Sequence, residues 1–114
     1  MSALAAGEPM PDVLVPHWLA ETDRALLAHV VRAALEDPDL HPVAAVHLAD
    51  VLTELHVAAA RDAVWPASAA RVRRVTGWSA DVLPVRLSAR ELASVLALPT
   101  TPDPLRGRLV GGRP

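Results

Sequence analysis

The chain contains no Phe, Tyr, Ile or Cys, so any core that it builds must consist mainly of Leu, Val and Ala. Ala supplies 22 of the 114 residues and buries little apolar surface per residue. β-Sandwiches rely on branched and aromatic residues, whereas Ala allows helices to approach each other closely. We therefore predict an all-α fold: a single small bundle of four to five helices with irregular N- and C-terminal arms. The length fits one domain.

The missing residue types also narrow the function. Lys, Asn and Gln are absent as well, a bias that is typical of a GC-rich bacterial genome. A chain without Cys or Lys has no thiol nucleophile, zinc–thiolate site, disulfide or Schiff base. It also has no Gly-rich phosphate loop and no GxSxG motif. We expect no enzyme activity, no cofactor, no metal and no small-molecule substrate.

The hydropathy pattern bears on localisation. No run approaches eighteen uninterrupted apolar residues, and the first ten residues lack the basic start of a signal peptide. The absence of Cys suits a reducing compartment. We expect a cytoplasmic protein that does not span a membrane.

Charge is distributed unevenly along the chain, although the net charge is only −2. Residues 1–57 carry two Arg and nine acidic residues, and residues 58–114 carry nine Arg and four acidic residues. The halves therefore have charges of −7 and +5. Either the basic half meets an anionic partner, or the halves fold onto each other and neutralise.

Pro and Gly residues divide the chain into three parts. Residues 1–15 lack helical periodicity and are predicted to form a flexible arm. Residues 16–98 are predicted to form the helical domain. Residues 99–114, which are rich in Pro and Gly, are predicted to form a non-helical tail.

Apolar periodicity and helix-end signals predict four helices in the domain, and Ser79 is predicted to cap a further short helical turn that Pro84 ends. The first begins near residue 16 or 22 and ends at residue 37, and the second covers Pro42 to Ala63. A third covers Ala67 to Thr76. The last begins at Ser88, which forms a capping box with Glu91.

The second helix has two apolar sides. One side is the predicted core face and includes Leu48, Val51 and Leu55. The nearly opposite side carries small, mostly apolar residues and could pack inside the monomer or bind a partner. We predict that it binds: the chain is then a non-catalytic helical interaction module, an adaptor or assembly subunit, with a protein partner or a second copy. The predicted partner interface is Val46, Ala49, Thr53, Val57 and Ala60.

The segment from Val72 to Leu83 supports an alternative function. Its Gly77-Trp78-Ser79 sequence resembles the turn of helix-turn-helix DNA-binding domains, where Gly permits the bend and Ser caps the recognition helix. The resemblance implies a DNA-binding regulator in which nearby Arg side chains hold phosphates. Those residues are Arg71, Arg73, Arg74 and Arg86.

This chain departs from the helix-turn-helix pattern at two positions. Arg73 stands where a small residue normally lets the helices cross, and Pro84 falls within the expected recognition helix. The segment from Leu87 to Pro99 resembles the first helix and turn of many bacterial regulators, but Ala97 replaces the turn Gly and prolines follow.

Two further residue groups have simple structural interpretations. His47, Asp50 and Glu54 lie on one side of the second helix, where they could ligate a divalent cation, but we expect them to form a solvated polar face. The three Trp residues could anchor a partner, but we expect them to fill gaps at helix ends. They are Trp18, Trp65 and Trp78.

Overall fold

The computed structural model describes residues 13–64, 66–111 and 113–114. These residues form, in chain order, β1 (Val15–Leu19), α1 (Glu21–Leu35), α2 (Pro42–Val64), α3 (Pro66–Thr76), β2 (Leu83–Leu87), α4 (Ala89–Ala97) and α5 (Asp103–Gly111). The described part of the chain is thus mixed α/β, with five helices and a two-stranded sheet. The prediction of an all-α bundle is wrong. Most of the predicted N-terminal arm, residues 1–12, lies outside the described residues, as does Trp65.

The two strands are far apart in the sequence and pair antiparallel. The register runs from Val15 opposite Leu87 to Leu19 opposite Leu83. In β2, Leu83, Val85 and Leu87 are buried and the residues between them are not, the period of two expected for a strand with one face in the core. The all-α prediction missed this alternation because it treated Pro84 as the end of a helical turn.

Pro84 is tolerated because it lies at the outer edge of the sheet. The neighbouring edge N–H, that of Arg86, donates to Glu54 Oε2 of α2 at 2.6 Å. The carbonyl of Pro84 accepts from the Arg61 guanidinium at 3.3 Å. Residues two apart share one edge of a strand, so the N–H that Pro84 lacks would also point away from β1. Side chains of α2 therefore close the edge of β2.

Helix α2 is at the centre of the fold. It contacts α1, α3, α4 and β2, and its bounds agree with the predicted helix to within one residue. Leu48 and Val51 are fully buried on its inner side. By length and hydropathy α2 could cross a membrane, a weak indication because core helices meet the same criteria. Only 17% of its most apolar stretch is buried, so much of this apolar helix faces outward.

The C-terminal region is helical, contrary to the predicted irregular arm. Leu105 and Leu109, one turn apart in α5, are fully buried in the main core. Pro104 does not break α5 because it lies in the first turn, where backbone N–H groups have no intrahelical partner. Arg106 of α5 fixes the preceding turn by donating to the carbonyls of Thr101, Leu96 and Leu98.

The predicted capping box of α4 is confirmed. Ser88 Oγ accepts from the N–H of Glu91 at 3.1 Å, and the Glu91 carboxylate accepts from the N–H of Ser88 at 2.8 Å. Gly77 follows α3 with a φ of 76°, a left-handed conformation that suits Gly. The ends of these helices were therefore recognisable from local sequence.

His17 connects the sheet to α5. Its buried ring donates from Nδ1 to the carbonyl of Leu109 at 3.0 Å. Burial lowers the pKa of His17, and the hydrogen bond to Leu109 opposes that shift only in part. The folded chain thus holds this proton less tightly than the unfolded chain, whose His pKa is about 6.5. The neutral ring contributes stability above about pH 6.5 that is lost as the pH falls through the lowered pKa.

We expect the free energy of unfolding to decrease between pH 7.5 and pH 5, with His17 contributing a slope of at most about 1.4 kcal/mol per pH unit. Urea titrations at several pH values measure this slope. In His17→Asn, which keeps a donor near the Nδ1 position, the slope should become shallower. Replacing the exposed His29 in the same way serves as the control. Equal slopes in the two variants would contradict the assignment.

Candidate protein interface

The five residues of the predicted partner interface all lie on the surface. We refer to Val46, Ala49, Thr53, Val57 and Ala60 as the α2 face; each is exposed, Val46 by 60% and Val57 by 41%. At 3.6 residues per turn they fall within about 80° around the helix axis, opposite the buried Leu48 and Val51. The alternative considered for this face, packing inside the monomer, does not occur among the described residues.

Two further valines extend the apolar surface towards the ends of α2. Val43 and Val64 are both more than half exposed. From the first to the second the surface is about 32 Å long, at a rise of 1.5 Å per residue. Isolated exposed Val residues are ordinary, but a continuous apolar strip of this length is characteristic of a contact surface.

The single polar side chain on the α2 face is already satisfied. The Thr53 hydroxyl donates to the Ala49 carbonyl one turn earlier, at 3.1 Å. Burial of this side chain in an interface would therefore leave no donor without an acceptor. The whole α2 face can enter an apolar contact at little polar cost.

The flank of α2 that adjoins β2 is strongly held. Glu54 accepts from both terminal nitrogens of Arg61, at 3.0 and 2.5 Å, and from the Arg86 N–H. This hydrogen bonding raises the pKa of Arg61. One turn earlier, Asp50 is exposed and makes no hydrogen bond or ion pair with a described residue. The same holds for the guanidinium of Arg86.

The opposite flank adjoins α1. His56 donates from Nδ1 to the Leu52 carbonyl at 2.8 Å, and its Nε2 lies 3.4 Å from the Arg32 guanidinium. Both flanks therefore anchor α2 to neighbouring elements by side-chain contacts. The α2 face therefore lies between two neighbouring elements, β2 on one side and α1 on the other.

The residues of the DNA-binding alternative differ in their exposure. Arg71 and Arg74 are exposed on α3 and Arg86 is exposed on β2. Arg73 instead donates to the Val82 carbonyl at 3.0 Å and lies 3.6 Å from Asp62. No helix follows Gly77 in the described residues 78–87; strand β2 occupies the place of the expected recognition helix.

The segment from Leu87 to Pro99 also resembles part of a helix-turn-helix motif, and its helix α4 is followed by α5, a helix that was not predicted. The Arg side chains of α5 are nevertheless engaged within the fold. Arg106 binds the carbonyls at the end of α4, and Arg108 lies 3.2 Å from Asp23 of α1. These contacts leave α5 poorly suited to reading DNA bases.

Several contacts join the acidic and basic halves of the chain. Arg108 pairs with Asp23, and Arg61 pairs with Glu54. Asp81 Oδ2 accepts the N–H of Glu21 at 3.0 Å, capping α1, while its side chain also accepts from Ser79. The Ser79 hydrogen bond is the main cause that lowers the pKa of Asp81. Part of the charge asymmetry is thus balanced inside the fold.

A cleft of about 540 Å³ lies between the outer face of the sheet and α3. Trp18 forms part of its lining and stacks obliquely on Trp78, with ring centroids 5.5 Å apart. Asp62 also lines it, with a buried Oδ1 that accepts no hydrogen bond from a described residue. The cleft was not predictable from local sequence, because one of its walls is formed by the two strands.

The predicted polar side of α2 shows no metal-binding arrangement. Glu54 is committed to Arg61 and Arg86, and no group of three His, Asp or Glu residues in the described ranges is placed to hold an ion. No family model matches the chain, and no curated protein or solved structure is significantly similar to it. The geometry of its own surfaces is therefore the basis on which a function can be inferred.

Proposed function

We propose that this chain is a non-catalytic protein-interaction module, an adaptor or assembly subunit, that binds its partner through the α2 face. The observation that carries the proposal is the exposure of all five α2-face residues, while the core lies on the other side of the same helix. A helix that is apolar on two sides, one of them buried in the core, has its second apolar side available for a partner.

The chemistry of the α2 face suits helix-to-helix contact. Ala49 and Ala60 permit close approach of another backbone, and Val46 and Val57 supply apolar area. Burying a fully exposed Val side chain stabilises a complex by about 1.5 kcal/mol or more, so Val46 and Val57, which are 60% and 41% exposed, would each contribute up to about 1 kcal/mol. Two such residues, together with Val43 and Val64 at the ends, give enough apolar area for association of moderate affinity.

DNA binding is the alternative, supported by the exposure of Arg71, Arg74 and Arg86. The segment after Gly77 is a turn and a strand, and Arg73 is occupied by Val82 and Asp62. We therefore base the functional proposal on the α2 face.

Site-specific photo-crosslinking tests whether the α2 face is covered in the cell. With benzoylphenylalanine at Ala49, Ala60 or the rim residue Asp50, we expect protein adducts on irradiation, because these positions would lie against the partner. The exposed Ala70 on α3 and Ala93 on α4 are control positions. A Thr53→Arg change should reduce the adducts at least about tenfold, since it places an unpaired charge in the contact.

Adducts to a second copy or to another protein would both support the proposal. If the α2-face positions gave no more adduct than Ala70 and Ala93, the α2 face would not be an interface and the proposal would be overturned.

A further inference from the structure

We propose that the partner of the α2 face is a second copy of this chain, packed so that the two α2 helices run antiparallel about a two-fold axis at Thr53. This inference rests on the proposed function, because it names the occupant of the same face. It is carried by two features of the described residues: the order of large and small side chains along α2, and the charges on one flank.

The order of large and small side chains before Thr53 is complementary to the order after it. In an antiparallel pair centred there, a residue a given number of positions before Thr53 lies level with the residue the same number of positions after it in the other copy. On the α2 face each Val is then level with an Ala, and Thr53 meets itself. The two pairs are Val46 with Ala60 and Ala49 with Val57.

This order favours the antiparallel arrangement over the parallel one. In a parallel pair Val46 would meet Val46 and Ala49 would meet Ala49, so the helices would be held apart at one level and leave a void at the next. Close packing requires large residues to face small ones. A partner of unrelated sequence would not require α2 to carry a pattern that is complementary to itself.

The charges on the β2 flank are complementary in the same arrangement. A two-fold axis perpendicular to the helices brings the same flank of both copies together. That flank carries Asp50 and, one turn on, Glu54, whose carboxylate accepts the Arg86 N–H. Asp50 and the Arg86 guanidinium are both exposed and lack partners among the described residues. Across the axis, the free carboxylate of each copy lies along the flank at which Arg86 of the other copy joins Glu54 through its N–H.

The expected interface is small. A helix-to-helix contact about 32 Å long is at the low end of specific interfaces, so we expect dissociation in the micromolar range, on the order of 1 to 100 µM. Sedimentation velocity over a concentration series measures it. Ala49→Arg should shift the equilibrium to monomer at every concentration, while Ala93→Arg on α4 should leave it unchanged. Circular dichroism establishes that each variant is folded.

Disulfide crosslinking tests the register and direction, because the chain has no Cys of its own. Under diamide, Thr53→Cys should give a covalent dimer on its own. Val46→Cys and Ala60→Cys should each fail alone, since equivalent residues would lie about 21 Å apart along the axis. A mixture of those two variants should crosslink. Ala93→Cys reports random collision.

The outcomes separate this inference from the proposed function. A purified chain that stays monomeric at about 100 µM, or a Thr53→Cys variant that crosslinks no faster than Ala93→Cys, overturns the second-copy inference. Self-crosslinking of Val46→Cys would overturn the antiparallel register. If any of these results is accompanied by photo-adducts to a different protein at Ala49, the proposed function stands. If no photo-adducts form, the proposed function and the second-copy inference both fail.

Discussion

Replacement of Glu54 with Ala is expected to lower the free energy of unfolding by about 3 kcal/mol. The side chains of Glu54 and Arg61 are only 13% and 21% exposed, and the carboxylate also accepts the Arg86 N–H. Its loss leaves one partly buried guanidinium without its carboxylate and one strand N–H without its protein acceptor, and each change is destabilising. Because the same contacts close the edge of β2, the pairing of β1 with β2 should weaken as well.

Urea unfolding followed by circular dichroism measures this cost. Glu54→Gln keeps an acceptor for the Arg86 N–H but loses the charge, so an intermediate effect is expected. The control is Glu36→Ala at the exposed end of α1, which should change stability by about 0.5 kcal/mol or less. A loss in Glu54→Ala no greater than in that control would mean that the Glu54–Arg61 pair does not support the sheet.

Leu109→Ala in α5 is expected to destabilise the fold by about 3 kcal/mol, because truncating a fully buried Leu removes apolar contacts and leaves a cavity. The adjacent Val110 is exposed, so Val110→Ala should cost about 0.5 kcal/mol or less. The two variants share a helix and a side-chain class and differ chiefly in burial.

Thermal or denaturant unfolding of these two variants distinguishes a core helix from a loosely attached tail. If α5 is part of the core, Leu109→Ala loses several times more stability than Val110→Ala. Equal and small losses in both would show that residues 99–114 contribute little to the folded domain.

The helices that sequence analysis identified are those whose signals are local. The periodicity between Pro42 and Ala63 and the Ser88–Glu91 capping box involve residues within a turn or two of each other. Helix α5 was missed although Leu105 and Leu109 have helical spacing, because the prolines before them were interpreted as breakers. In the first turn of a helix a Pro costs no hydrogen bond.

The sheet depends on information that is far away in the sequence. Val15 pairs with Leu87. Pro84 is compatible with the strand because it faces the outer edge, where Glu54 and Arg61 hydrogen-bond to the Arg86 N–H and the Pro84 carbonyl. No local pattern shows which side chains will lie there. The alternation from Leu83 to Leu87 was a visible signal for a strand, but its partner was not.

The α2 face could be found by sequence analysis because its residues share one side of a regular helix. Its exposure could not be predicted, since α2 has two apolar sides and either could have received the remaining elements. The packing of β2 and α4 on the side of Leu48 and Val51 decides between them. The cleft beside Trp18 could not be predicted either, because it depends on the long-range pairing of the two strands.

The long separation between the paired strands has a consequence during synthesis. β1 leaves the ribosome first of the described elements, but β2 follows only after α1, α2 and α3 have been made. At roughly 5 to 20 residues per second, β1 waits for several seconds without its partner. In that interval the exposed Val13, Leu14 and Val15 adjoin an unpaired strand, so the nascent chain is most open to aggregation or to chaperone binding before residue 87 emerges.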